Sequence, residues 1–173
     1  MFGWFRKRPE VAAAERLLDT VARIARQPAF YGEGRVPDTL NGRAELLFLH
    51  GALALRRIKA EPGAQSLAQA FTDRFFASLD AGLREEGVGD MSVPRKMYKF
   101  AGAFYGRLAV YDRALTARDE ADLADAIGRN VLGDGAAPYA DVLAAHTSST
   151  AEALAAASVA DLDRLDVWGA APA

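Results

Sequence analysis

The chemistry open to this chain is concentrated in Ser92–Arg113, SVPRKMYKFAGAFYGRLAVYDR, where cations, tyrosines and glycines share one segment. Wound as a helix at about 100° per residue, Lys96, Lys99 and Arg107 line up beside an apolar stripe of Met97, Ala101, Phe104, Leu108, Tyr111 and Leu115. Tyr98, Tyr105 and Asp112 take the other flank, and Gly102 and Gly106, one turn apart, leave a strip of bare backbone. Arg95, Lys96 and Lys99 crowd the first turns, where the helix dipole favours acidic residues. That placement costs a few tenths to about 1 kcal/mol unless an anionic or acidic partner sits there. The implied chemistry is binding: attraction of acidic or carbonyl groups by the cations, and close approach of an apolar segment over the glycines. The competing reading is a solvated basic face that only keeps the protein in solution.

Residues for bond-making chemistry are missing. The two histidines, His50 and His146, are expected on different helices without metal-ligand spacing. The absence of cysteine removes thiol catalysis, thiolate metal sites and disulfides. No nucleophile elbow, dinucleotide-binding glycine fingerprint or paired-carboxylate motif is present, and Gly87-Val88-Gly89-Asp90 lacks the Lys-Ser/Thr of a phosphate loop. Asp119, Glu120, Asp122 and Asp125 read as helix caps and a solvated face. His50 lies inside an apolar run and reads as a hydrogen-bonded core histidine; a small-ligand pocket built on His50 and Tyr31 is the alternative. The balance points to a binding protein, not an enzyme, with no cofactor and no metal.

The elements that must carry these residues are helical. The 173 residues suit one domain with a substantial core, and alanine is abundant while β-branched residues are sparse. No apolar run reaches about 18 residues, and the longest, Leu46–Leu55, ends in Arg56-Arg57. The N-terminus lacks the apolar region and cleavage site of a secretory signal. Charge is polarised: eleven Lys/Arg face six Asp/Glu in residues 1–60, seven of each occupy 61–115, and three face ten in 116–173. Such an axis suits an oriented encounter with a partner, while a pI near 5.7 argues against a dedicated nucleic-acid binder and excludes DNA from the expected partners.

Along the chain, Met1–Arg8 sets Phe2, Trp4 and Phe5 before Arg6, Lys7 and Arg8. It reads either as a frayed terminus or as a short peripheral membrane contact. Pro9 opens a helix to about Arg26, with Ala12, Leu17, Leu18, Val21 and Ile24 as its stripe. In the long connection Gln27–Asp38, Phe30, Tyr31 and Val36 would tuck the chain down while Gly32 and Gly34 permit tight turns, and it reads either as a functional loop or as one that simply packs over the core. Asp38 or Thr39 caps a helix to about Lys59, apolar almost all round and so the most buried. Arg43 and Glu45 form a structural ion pair or point into a cleft. Ser66 caps a third helix to about Glu86, whose face is Leu67, Phe71, Phe75, Phe76, Leu79 and Leu83. The Ser92 helix follows, then one capped by Thr116 and running to about Leu132. A break at Gly133–Pro138, a helix over Tyr139–His146 and one or two short helices in Ala151–Leu165 complete the chain, with Trp168 docking the tail. The expected fold is all-α, a single globular domain of six to eight packed helices. Its divisions are an aromatic and basic segment at 1–8, the helical domain at 9–157 and a C-terminal tail at 158–173.

Three segments resemble the ubiquinol–cytochrome c chaperone family, assembly factors for cytochrome b in mitochondria and alphaproteobacteria. They are PAFYGEGRVPDTLN at Pro28–Asn41, continuing through Gly42-Arg43 to Leu46–His50; GVGDMSV at Gly87–Val93, after Phe75-Phe76; and RKMYKFAGAFYGR at Arg95–Arg107, with Tyr111 and Leu115 beyond. The resemblance covers about residues 10–133 and rests on the order and spacing of the segments together. Without the long targeting extension of mitochondrial members, the chain looks like a bacterial one. The resemblance implies packed helices and a non-catalytic role: mitochondrial members bind newly made cytochrome b near the ribosomal exit site and hand it on for haem insertion and bc1 assembly, working with a small partner protein. Carried onto this chain, it makes Tyr31, Arg35, Asp38, Arg43, Lys96, Lys99, Tyr105 and Arg107 candidate client-binding residues, to which the physical reading of the loop and helix adds Phe30, Arg95, Gly102 and Gly106. Cytochrome b is the expected partner, and the cytoplasm, with peripheral contact at the inner membrane, the expected location. A ribosome- or RNA-associated factor using the basic stripe is the alternative.

Overall fold

The structure, a computed structural model, describes residues 9–85, 87–133 and 137–172. The expectation for Met1–Arg8 therefore lies outside the described residues. Six α-helices are present among those described, with no strand: α1 Pro9–Ala25, α2 Leu40–Lys59, α3 Gln65–Glu85, α4 Val93–Ala117, α5 Glu120–Ile127 and α6 Tyr139–Ala156. This is the all-α architecture expected.

α2 is the axis of the molecule. Thr39 starts it, its hydroxyl accepting from the Gly42 amide at 3.1 Å, and α1, α3, α4 and α6 all pack around it. Residues Phe48–Leu55 are buried without interruption, which is why this stretch has no polar face. Two glycines allow its neighbours so close. A Cβ on Gly51 would stand 2.5 Å from the Phe75 ring of α3, and one on Gly42 would collide with the Pro37 carbonyl. The Phe75 ring thus lies directly on the α2 backbone and stacks at 4.6 Å on Phe104 of α4, which ties three helices through one side chain.

Several boundaries differ from expectation. α3 begins at Gln65, so Ser66 lies inside its first turn and is not its cap. α4 runs on through Thr116 to Ala117 and stops where Arg118 takes the left-handed conformation, φ 55°. Asp119, not Thr116, caps α5 by accepting from the Asp122 amide at 2.9 Å. α5 gives way after Ile127 to a wider turn at Gly128–Leu132. α6 continues past His146 to Ala156, because Leu143, Thr147, Thr150, Ala151 and Leu154 keep one face in the core. The short helices expected in Ala151–Leu165 reduce to the end of α6 and a 3-10 turn at Val159–Asp161. Arg57 closes the C-terminal end of α6, its guanidinium donating to the Leu154 and Ala157 carbonyls at 3.0 and 2.9 Å.

Residues 158–172 are not a separate tail in space. Trp168 is fully buried, its indole donating to the Leu162 carbonyl at 2.8 Å. The Asp163 carbonyl accepts from Thr20 at 2.6 Å, and its carboxylate pairs with Arg16 at 2.7 Å. The end of the chain is therefore strapped across α1, and Trp168 docks it as expected.

Candidate functional site

His50 and His146 meet in the core after all, their rings 5.8 Å apart with Phe30 at 5.3 Å from each. The His50 Nδ1–H donates to the Leu46 carbonyl at 2.8 Å, so His50 is the hydrogen-bonded core histidine expected. Burial pushes its pKa down to about 4 and lowers that of His146 as well. Both are neutral packing groups at pH 7. Among the described residues, no cluster of three or more His, Asp or Glu is placed to hold a metal.

The loop before α2 is held by its own polar groups. Phe30 is fully buried, so it faces the histidines and no client, contrary to its place in the expected surface. Tyr31 donates its hydroxyl to the Ala25 carbonyl at 2.6 Å, and burial pushes its pKa up to about 12. Arg35 donates to the Ala29 carbonyl at 2.6 Å and lies 5.8 Å over the Tyr139 ring. Tyr31 and Arg35 thus fold the loop down onto α1 and α6. Asp38 and Arg43 remain exposed as a 2.6 Å ion pair, and the guanidinium holds the Asp38 carboxyl below the usual range.

Of the expected α4 stripe, Met97, Phe104, Leu108, Tyr111 and Leu115 do face inward, and the inward arc is wider and turned to one side. Val93, Phe104, Tyr111 and Ala114 are buried, with Met97, Phe100, Leu108 and Leu115 packed against the core, so the inward arc is centred nearer Phe100 and Arg107. The reason is Arg107. Its guanidinium makes a two-pronged pair with Glu45 of α2, at 2.7 and 2.6 Å, with both side chains largely covered. Of the two readings of Glu45, the structural ion pair holds, but its partner is Arg107; Arg43 pairs with Asp38. Arg107 is therefore drawn inward to Glu45 and does not join Lys96 and Lys99 as an exposed cation.

The outward face of α4 is Arg95, Tyr98, Lys99, Gly102, Tyr105, Gly106 and Ala109, spaced as one helical side. Tyr98 is 84% exposed and Tyr105 47%. A Cβ on Gly102 or Gly106 would have nothing within 4 Å, so the bare strip is open. Arg95, Lys96 and Lys99 are all exposed and make no ion pair among the described residues.

Beside α4 lies a groove of about 330 Å³. Its walls are Leu18 and Ala22 of α1, Leu40, Ala44 and Leu47 of α2, Leu79 and Leu83 of α3 and Phe100 of α4, with Asp19, Arg26, Arg43 and Glu85 on the rim. Leu40 is 41% exposed at its edge. Gly82 leaves a notch in its α3 wall, where a Cβ would touch nothing. The groove brings Arg43 of the loop side to the flank of α4, which unites two of the segments singled out in the sequence. Its apolar lining was missed there. The signals were present in the i, i+4, i+7 spacing of Leu40, Ala44 and Leu47 and in a glycine placed inside a helix. A larger hollow between α4, α5 and α6, about 450 Å³, is lined by charges of both signs, of which Arg56 is held by Asp112 and Glu120 by Ser148.

A family model for the ubiquinol–cytochrome c chaperone matches residues 33–167. The chain belongs to the ubiquinol–cytochrome c chaperone family. The matched span runs through α6 and the C-terminal strap, further than the segments that carry the resemblance in the sequence. The crystal structure of the Cbp3 homolog from Brucella abortus is similar at 38% identity and a TM-score of 0.77, covering 94% of this chain and 89% of that one. No curated protein matches. Membership assigns a chaperone role to the chain. No helix among the described residues is long and apolar enough to cross a membrane.

Proposed function

We propose that this protein is a non-catalytic assembly chaperone that binds newly made cytochrome b in the cytoplasm, at the inner membrane, for construction of the bc1 complex. The observation that carries the reading is the apolar groove, with the open strip on the outer face of α4 as a second surface, in a chain of this family. A client destined for the bilayer brings apolar helical segments that need cover before assembly. The groove accepts large apolar side chains, and the Gly102/Gly106 strip lets a helix backbone approach α4 closely. Tyr98 and Tyr105 offer broad, rigid contact area along one flank of it. Arg43 and Asp38 sit at the loop edge of this surface, and Arg95, Lys96 and Lys99 border it at the N-terminal end of α4. Phe30, Tyr31, Arg35 and Arg107 act from beneath by fixing the loop and the rotation of α4.

The test uses Gly82→Leu, whose Cβ meets nothing within 4 Å and whose longer side chain adds bulk at the α3 wall of the groove. Tagged wild type and variant are recovered from cells after crosslinking, and cytochrome b is measured in each. The expected result is capture by wild type, loss of capture by Gly82→Leu at a thermal stability equal to or above wild type, and reduced bc1 activity in cells carrying the variant. Equal capture by both proteins would remove the groove from the client surface. Absence of cytochrome b from both would overturn the client itself.

A further inference from the structure

The end of α4 that borders the proposed client surface has a composition of its own. Met91 is 97% exposed at the crest of the loop between α3 and α4. A single exposed apolar residue is ordinary, but this one is held out by a braced loop. The Val88 amide donates to the Leu83 carbonyl and the Ser92 amide to the Gly89 carbonyl, Arg84 binds Asp90, and Val93 is buried immediately after. Arg95, Tyr98 and Lys99 then follow on one helical side, with Lys96 next to them, all exposed. The acidic groups Asp80 and Asp90 are both paired with Arg84. Around the N-terminal end of α4 the patch therefore presents an apolar tip, a tyrosine and three positive charges that make no ion pair among the described residues.

We propose that this patch rests on a bilayer bearing anionic phospholipid, with Met91 in the headgroup boundary, Tyr98 at the interface and Arg95, Lys96 and Lys99 against the phosphates. Charge complementarity selects an anionic partner. The flexible apolar Met91 and the amphipathic Tyr98 select lipid over nucleic acid, since a methionine offers no base-stacking face and the chain as a whole is net acidic. A few basic residues with a small apolar insertion give weak, salt-sensitive, reversible attachment. Such contact would stand the N-terminal end of α4 on the membrane. At 1.5 Å per residue, Gly106 then lies about 16 Å further along the helix axis than Arg95, so the client strip would face the zone where a membrane protein leaves or enters the bilayer. The lipid contact itself goes beyond the client reading and does not depend on it.

The experiment is sedimentation of the purified full chain, without client, with phosphatidylcholine vesicles and with mixed phosphatidylcholine–phosphatidylglycerol vesicles. Binding only to the mixed vesicles is expected, weakening as salt is added. Each of Lys96→Gln and Lys99→Gln should lower the partition coefficient about fivefold, and the pair about 25-fold. Met91→Ser should weaken binding at every salt concentration. The comparison variant is Arg6→Gln/Lys7→Gln/Arg8→Gln, which changes the basic cluster near the N-terminus. If that triple abolishes binding and Lys96→Gln/Lys99→Gln leaves it intact, the assignment to α4 is overturned. Equal binding to both vesicle types, or capture of ribosomes in preference to mixed vesicles, overturns it as well. Because no client is present, failure here leaves the client reading standing, and failure of the client test leaves this one standing.

Discussion

Replacing Gly102 and Gly106 by alanine should make this protein more stable. Both positions are exposed in the interior of α4, a Cβ at either meets nothing within 4 Å, and neither has a left-handed backbone. The only folding term left is helix propensity, in which alanine exceeds glycine by about 0.8–1.0 kcal/mol per site. The double variant should gain about 2 kcal/mol, which for a domain of this size corresponds to a Tm increase of about 4–8 °C. Thermal unfolding followed by circular dichroism measures the shift, and urea titration measures the free energy. The same exchange at Gly51 supplies the opposite sign, because its Cβ would be forced to within 2.5 Å of Phe75; that variant should lose about 1–3 kcal/mol. A Tm for the double variant equal to or below wild type would show that α4 is covered along this strip, and the reasoning that made it a free surface would fail. If stability rises while cytochrome b capture falls, the two glycines are retained at the expense of the fold for the sake of close approach.

Stability should fall as the medium is acidified from about pH 6.5 toward 4. His50 and His146 have folded-state pKa values depressed by burial, so the unfolded chain binds more protons across that window and stability is full only above it. For His50 alone, a shift from 6.5 to about 4 amounts to about 3 kcal/mol over the whole window; urea titrations at several pH values give the slope, and His50→Gln should flatten it. Glu45→Gln leaves the largely covered Arg107 without its ionic partner and should cost about 1–2 kcal/mol, the solvent still touching the pair keeping the loss moderate; an unchanged urea midpoint would contradict that. Trp168→Ala should cost about 3–5 kcal/mol, since it empties a fully buried indole site and orphans the Leu162 carbonyl, and a surface-like loss below about 0.5 kcal/mol would show that the strap is not part of the core.

Helix positions were legible because the apolar spacing of α1, α2 and α3 is regular and Pro9 and Thr39 mark two starts plainly. The class of function was legible from the segments shared with the family. Rotation of α4 was not. Hydropathy ranks Arg107 as surface, but Glu45, 62 residues earlier in the chain, offers a two-pronged acceptor that draws it inward, and no local pattern reports a partner so distant. Phe30 failed as a surface residue for the same reason in reverse: an aromatic in a loop reads as available until the histidines of α2 and α6 are seen to enclose it. The helix end at Thr116 was misjudged because a good capping residue loses to Asp119 when the left-handed Arg118 completes the turn. The groove needed four helices in place before it existed at all.

The strap that joins Asp163 to Arg16 and Thr20 has a consequence for how the protein is made. Those contacts span 143 and 147 residues of chain, so α1 cannot complete its burial while the ribosome is still adding α6. At about 5–20 residues per second, the first helix therefore waits many seconds with its Leu17, Val21 and Ile24 face only partly covered by α2 and α3. A protein proposed to shelter others during their synthesis passes through that exposed interval itself. Residues 158–168 then act as a latch that closes only after they have been translated, so a chain cut short before Trp168 lacks the buried indole that completes the core.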